Sequence, residues 1–143
     1  MNFNNFTIKS QEAVQQAIQL VQNRGQQAIE AEHLLAGLLK VGENVTNFLF
    51  QKLGMNGPQI ANVLDKQIAS LPKVTGGEPY LSRTSNEVLQ KSVELSKGLG
   101  DEYVSLEALL LALLSVKSTA STILKDAGMN EKDLRTAINE LRQ

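Results

Sequence analysis

The strongest constraint on what this chain can fold into is an internal repeat. When the sequence is aligned with itself at a shift of 75 residues, identical residues coincide without a gap. These pairs include Ser10 and Ser85, Glu12 and Glu87, Gln15 and Gln90, Leu20 and Leu95, Gly25 and Gly100, and Glu32 and Glu107. After a loss of one residue the shift becomes 74, so that Gly54 meets Gly128. Such a match indicates that one structural unit has been duplicated.

The repeated unit has the periodicity of α-helices. Apolar residues recur at the i, i+3, i+4 and i+7 positions of one helix face at Val14, Ala17, Ile18 and Val21. The pattern predicts an all-α fold of two tandem four-helix repeats related by a pseudo-twofold axis. The predicted helices are residues 7–24, 31–41, 45–53, 58–71, 83–99, 105–116, 118–127 and 131–142.

The second helix of each copy, around 34–39 and 108–114, is apolar nearly all round, which predicts a place in the centre of a bundle. Between the copies, prolines and the pair Gly76-Gly77 rule out helix and predict an extended connector. We therefore expect a single domain over 1–143. Its predicted parts are repeat one at 7–71, a linker at 72–81 and repeat two at 82–142.

Composition narrows the range of partners. The chain has 14 Lys plus Arg against 15 Asp plus Glu, so we expect no nucleic-acid partner, because no excess positive charge is present to displace counterions. The longest apolar stretch, Leu106–Leu114, is much shorter than a membrane span and predicts no membrane partner. The chain has no cysteine, and residues 1–7 lack the pattern of a secretory signal, so we expect a cytoplasmic protein.

Motifs for chemistry are not found. No Gly-Lys-Ser or Gly-Lys-Thr string forms a phosphate loop, so this chain is not expected to bind or hydrolyse a nucleotide. His33 is the single histidine, and without cysteines it leaves a zinc site short of ligands. Ala108 stands at the equivalent position, so we expect His33 to pack at the entry of its helix. No catalytic residue, metal ligand or cofactor is predicted in this chain.

Several strings resemble a known family over essentially the whole chain. The segments 6–13 and 32–39 resemble the opening of the Clp amino-terminal domain, the duplicated module that precedes the ATPase rings of Clp chaperones. The connector start 71–74 and the segment 100–107 resemble the ClpB disaggregase branch more than the protease-linked ClpA and ClpC branches.

The resemblance implies a longer chaperone of the stress response with two AAA+ ATPase modules, which bind ATP and Mg²⁺ and assemble as a hexameric ring. In this family, the amino-terminal domain engages exposed hydrophobic segments of unfolded or aggregated proteins, here called clients. The domain passes them to the ring for threading and refolding, together with a DnaK-type chaperone system.

Three family positions tied to client engagement correspond to Thr7, Asp101 and Glu107. Each also has a purely structural explanation, as a helix cap, a turn residue and a carboxylate favoured by a helix dipole. The apolar residues expected to be exposed beside them, lining a groove between the repeats, are Leu89, Leu95 and Val104.

Two alternative functions are left open by the sequence. The domain could dock a folded adaptor, as the amino-terminal domains of the ClpA and ClpC type do. It could instead be a small-molecule enzyme that uses a pair of carboxylates at helix starts, where Glu30, Glu32, Asp101, Glu102 and Glu107 cluster. Such an enzyme would need a closed pocket with converging carboxylates.

Overall fold

The computed structural model describes residues 2–143, which form eight helices and two short strands. The helices are α1 Ile8–Asn23, α2 Ala31–Val41, α3 Glu43–Lys52, α4 Gly57–Ala69, α5 Arg83–Gly98, α6 Leu106–Ser115, α7 Thr119–Asp126 and α8 Glu131–Leu141. The strands are β1 Ala28–Ile29 and β2 Tyr80–Leu81. The predicted all-α class is confirmed, and each predicted helix end lies within two residues of the observed one.

Side-chain oxygens cap the amino-terminal ends of most of the helices. Thr7 Oγ1 accepts a hydrogen bond from the Ser10 amide at 3.1 Å, which satisfies one of the free amides at the start of α1. Residues in the same capping position are Asn56, Ser82, Ser105, Ser118 and Asn130. At the other end of α1, Gly25 adopts a φ of 66°, which an L-residue rarely tolerates, and turns the chain away from the helix.

The core is built around α2 and α6, as their apolar sequences predict. In α6 the residues Leu106 and Ala108 to Leu114 are all buried, and α2 buries Leu34, Leu35 and Leu38. These two helices contact each other in the centre of the molecule. Within residues 2–143 no single helix has the length and hydropathy of a membrane span; α6 and α7 reach them only as a pair, which is bent by 96°.

Two parallel pairings of extended residues, which we call the crossed strand pairs, join the two repeats. Strand β1 of repeat one pairs in parallel with β2, which leads into repeat two, and Ile29 lies opposite Leu81. The equivalent residues 75 positions away form the bridge between Phe6 and Val104. The bonds match as well, since Ser82 N donates to Ile29 O at 3.1 Å and Thr7 N donates to Val104 O at 3.0 Å. Each repeat therefore pairs by backbone hydrogen bonds with the segment that leads into the first helix of the other.

The connector follows α4 and runs back along repeat one. Val74 N donates to Gly25 O at 2.9 Å, and Gln27 Nε2 donates to Glu78 O at 3.3 Å. Its last two residues form β2, so the segment predicted as linker over 72–81 includes one strand of the crossed pairs. The exact division of the chain into repeats and linker stays a prediction.

Candidate functional site

Asp101 and Glu107 lie at the two ends of one short segment, which we call the 101–107 segment. Gly100 ends the preceding turn with a φ of 77°, and Asp101 N then donates to Ser96 O at 2.9 Å. Glu107 lies in the first turn of α6, where the helix dipole favours a carboxylate. Local turn and helix chemistry therefore positions both carboxylates.

Thr7 joins the same segment through the backbone. The Thr7 amide donates to the carbonyl of Val104 at 3.0 Å, and the Val104 amide donates to the carbonyl of Asn5 at 2.8 Å. The three predicted polar residues, Thr7, Asp101 and Glu107, are thus attached to one stretch of surface. Their part in client binding stays a prediction.

Arg142, at the end of α8, holds the two carboxylates together. Its Nη1 and Nη2 donate to the two oxygens of Asp101 at 3.0 and 2.7 Å. Its Nε donates to Glu107 Oε2 at 3.1 Å, and Nη2 also reaches Ser105 Oγ at 3.2 Å. The hydrogen bond to Asp101, followed by those to Glu107, raises the pKa of Arg142 above its usual value against the opposing effect of partial burial.

Arg142 could not be predicted from the sequence, because its partners lie 35, 37 and 41 residues earlier in the chain. Contacts of this length follow from the packing of α8 against α6 and leave no local pattern. The internal repeat does not indicate these contacts either, because the residue equivalent to Arg142, 74 positions earlier, is Ile68.

The expected exposure of Leu89 and Val104 is wrong. Leu89 has 0% and Val104 1% of its surface exposed. Leu89 lies on the inner face of α5 with Ser85, Val88 and Ser92. Val104 is paired with Phe6, and both side chains face the core. In this conformation neither residue can touch a client.

Leu95 is half-buried and lines a surface cleft of about 510 Å³. The cleft lies within repeat two, between α5, the end of α6 and the start of α8, and not between the repeats as expected. Its other lining residues are Lys91, Leu114, Ser115, Lys125, Met129, Asn130, Glu131 and Arg135. Repeat one has a cleft of about 300 Å³ that includes the equivalents of five of these positions, with Leu20 in the place of Leu95.

Two exposed apolar side chains that the sequence analysis missed flank the bridge between Phe6 and Val104. Ile8 is 70% exposed and Tyr103 is 50% exposed. A signal for Ile8 was available in the repeat, because its equivalent residue is Arg83, which is typical of a solvent-facing position. The surface beside Thr7 therefore does carry apolar groups, although they are not the predicted ones.

His33 belongs to a buried polar network, at the entry of α2 as expected. Its Nδ1 accepts from Glu30 N at 2.9 Å, and its Nε2 lies 2.7 Å from Gln26 Oε1. Burial, with a smaller effect of Arg24, lowers the pKa of His33 to about 4. Over residues 2–143, no group of three or more His, Cys, Asp and Glu side chains is placed to hold a metal ion.

The carboxylates do not form the arrangement that an acid–base enzyme needs. Asp101 and Glu107 converge on the Arg142 guanidinium, which is hydrogen-bonded to both carboxylates. Burial, opposed by a backbone hydrogen bond, raises the pKa of Glu32, but Glu32 is only 6% exposed and lies in the first turn of α2. It therefore does not meet the 101–107 carboxylates in a shared pocket.

Comparisons with known proteins agree with this architecture. Residues 5–127 match the family described as the Clp repeat (R) N-terminal domain. The chain is 77% identical over 143 residues to the chaperone protein ClpB of Bacteroides thetaiotaomicron and 53% identical over 143 residues to that of Porphyromonas gingivalis. Both alignments cover 100% of this chain, which spans 17% of the length of either relative.

Two solved structures share the fold. The Hsp104 N-terminal domain from Candida albicans has a TM-score of 0.85 at 22% identity, over 97% of this chain and 92% of that chain. A complex of the ClpV N-domain with a VipB peptide has a TM-score of 0.74 at 23% identity, over 95% and 86% of the two chains. The duplicated helical fold and the matched family agree: the chain belongs to the Clp repeat (R) N-terminal domain family.

Proposed function

We propose that this domain binds exposed apolar segments of unfolded or aggregated proteins on the surface around the 101–107 segment. The observation that carries the proposal is the mixed character of this surface. Ile8 and Tyr103 are exposed apolar side chains next to Thr7, and the charged groups of Asp101 and Glu107 lie at the two ends of the same segment. The cleft beside Leu95 supplies further apolar surface.

Such a surface suits loose binding of many sequences. Burial of apolar area contributes about 25 cal/mol per Å² and does not depend on one side-chain order. The apolar groups here are few and separated by polar ones, so we expect weak affinity. Weak binding favours the transfer of a client to a motor, since a tightly bound client would resist release.

A longer protein, comparable to the relative of which this chain spans 17%, is proposed to supply that motor. In this proposal the domain passes clients to a hexameric ring of AAA+ modules, where ATP and Mg²⁺ bind and a DnaK-type chaperone system cooperates, in the cytoplasm. The present chain has no phosphate loop, so both ligands would bind outside it.

The test is a binding titration with reduced, carboxyamidomethylated ribonuclease A, an unfolded chain, as a labelled probe in fluorescence anisotropy. The double variant Ile8→Ser and Tyr103→Ser should bind about tenfold more weakly, because it removes two apolar contacts from the surface. Val74→Ser is a matched control, since Val74 is 46% exposed but lies on the connector. The control should bind as the wild type does.

Equal losses in the control and the double variant would contradict the proposed location. The alternative, docking of a folded adaptor, predicts a different result. In that case the unfolded probe would not bind to the wild type at all, whereas a folded partner protein would.

A further inference from the structure

The end of α8 is held to the 101–107 segment by one side chain. The Arg142 guanidinium donates to Asp101, Glu107 and Ser105, and these bonds connect parts of the chain 35 to 41 residues apart. The side chains of Arg142, Asp101 and Glu107 are 30%, 23% and 13% exposed, so water reaches the cluster.

The first repeat makes the equivalent connection with different chemistry. Gln26 stands at the position of Asp101, and Ile68 at the position of Arg142. Gln26 Nε2 donates to the backbone carbonyl of Ile68 at 2.7 Å, and this bond is buried. Both repeats thus tie the end of the fourth helix to the residue that follows the glycine after the first helix. Repeat one uses a neutral buried bond, and repeat two uses an ion pair that water can reach.

This difference makes the two connections unequal in strength. Breaking a buried hydrogen bond leaves polar groups without partners and is costly. The Arg142 cluster is bidentate and has several partners, so it is stronger than an isolated surface pair, but water or another charged ligand can reach its members and replace the partners. The end of α4 is therefore fixed, whereas the end of α8 can be released.

Few contacts besides those of Arg142 hold the last turn of α8. Ile138 is the last fully buried residue of that helix, and Leu141 is half-buried and packs against the core. The ion pair between Glu140 and Lys52 joins side chains that are 43% and 50% exposed, and such pairs contribute little to stability. Arg142 is the residue that bonds this turn to the 101–107 segment.

We propose that Arg142 is a releasable latch. It occupies Asp101 and Glu107 and holds the last turn of α8. A client that engages these two carboxylates must displace it. This inference rests on the proposed function. Coupling between two linked equilibria acts in both directions, so release of the turn strengthens client binding and a bound client loosens the turn.

The experiment compares Arg142→Gln with Lys132→Gln in the same anisotropy titration with carboxyamidomethylated ribonuclease A. Lys132 is exposed on α8 and does not line the Leu95 cleft, and within residues 2–143 it makes no hydrogen bond to the 101–107 segment. Both variants lose one positive charge from the C-terminal part of the chain, so the comparison removes the effect of net charge on binding. Hydrogen exchange of the amides after Ile138 is measured with and without the probe.

Arg142→Gln should bind the probe at least about fivefold more tightly than the wild type, the lower end of typical couplings, and Lys132→Gln should bind like the wild type. Arg142→Lys, which keeps the charge but cannot bridge three partners, should lie between the two. In the wild type, the probe should speed exchange after Ile138.

Equal or weaker binding by Arg142→Gln, or slower exchange after Ile138 in the presence of the probe, would overturn the latch. If the wild type binds the probe and Arg142→Gln merely matches it, only the latch fails. If the unfolded probe binds to no variant, the proposed function fails and the latch fails with it.

Discussion

At the scale of single residues, His33 and Gln26 show how a polar network can exist within an apolar core. His33 is fully buried, and each of its ring nitrogens has a partner. Because Nδ1 accepts the Glu30 amide, the proton of the neutral ring lies on Nε2 and is donated to Gln26. Gln26 in turn donates to the end of α4 at Ile68. A second proton on His33 would remove the acceptor that Glu30 N needs.

This network makes stability depend on pH. Unfolded His33 has a pKa near 6.5 and folded His33 one of about 4, so unfolding takes up a proton between these values and acid favours the unfolded state. Wild type should lose about 2 kcal/mol relative to His33→Gln between about pH 7 and pH 4.5 in urea unfolding. Glu32, whose raised pKa has the opposite effect, is common to both proteins. Parallel pH curves would contradict a neutral buried His33.

Residue-level predictions from the sequence were reliable only for local features. Thr7 was predicted as a cap and is one, because a cap depends on residues a few positions away. Leu89 was predicted to be exposed, but it lies on the buried face of its helix. Val104 is buried because it pairs with Phe6, almost 100 residues earlier. Arg142 meets partners that no local pattern identifies.

At the scale of helices and strands, the close packing of α1 against α2 depends on Gly37, which has no side chain. A Cβ atom on Gly37 would lie 2.2 Å from the backbone oxygen of Ala13, far inside van der Waals contact. The backbone of α1 cannot give way as a flexible side chain would. Repeat two has Ala112 at the equivalent position, so the tightest approach belongs to repeat one.

Gly37→Ala should therefore destabilise the domain by about 1–3 kcal/mol, as overpacking of a core does. Gly98→Ala is the matched control, because Gly98 is helical and a Cβ there meets nothing within 4 Å. The control should be neutral or stabilise by up to about 1 kcal/mol, since alanine favours helix over glycine. Urea unfolding measures both. A loss of stability in the control equal to that in Gly37→Ala would show that the packing argument fails.

Helices were predicted from sequence more successfully than strands. Caps and the glycines that follow each helix mark its ends, and apolar spacing marks its inner face, so helix boundaries were close to those observed. Strands β1 and β2 were missed because two residues are too few for an alternating pattern. Their pairing joins the two repeats, so it cannot be predicted from either repeat alone.

At the scale of the whole molecule, duplication explains both the symmetry and the departures from it. The crossed strands and the paired clefts obey the repeat. The ties at the ends of α4 and α8 do not follow the repeat, because the positions of Gln26 and Ile68 are occupied in the second repeat by Asp101 and Arg142. The exposed groups Ile8 and Tyr103 also lack apolar counterparts of similar size, since Arg83 and Ala28 replace them. We infer that the scaffold is symmetric and that the surface proposed to bind clients is not.

Chemical-shift mapping by NMR tests this account most directly. The isotope-labelled domain is titrated with carboxyamidomethylated ribonuclease A, and native ribonuclease A is the control. We expect shifts that cluster at Thr7, Ile8 and the 101–107 segment and extend to Leu95, with weaker changes at the equivalent positions of the first repeat. Native ribonuclease A should cause none. Shifts confined to other surfaces, or no shifts with the unfolded chain, would contradict the claim that this surface binds clients.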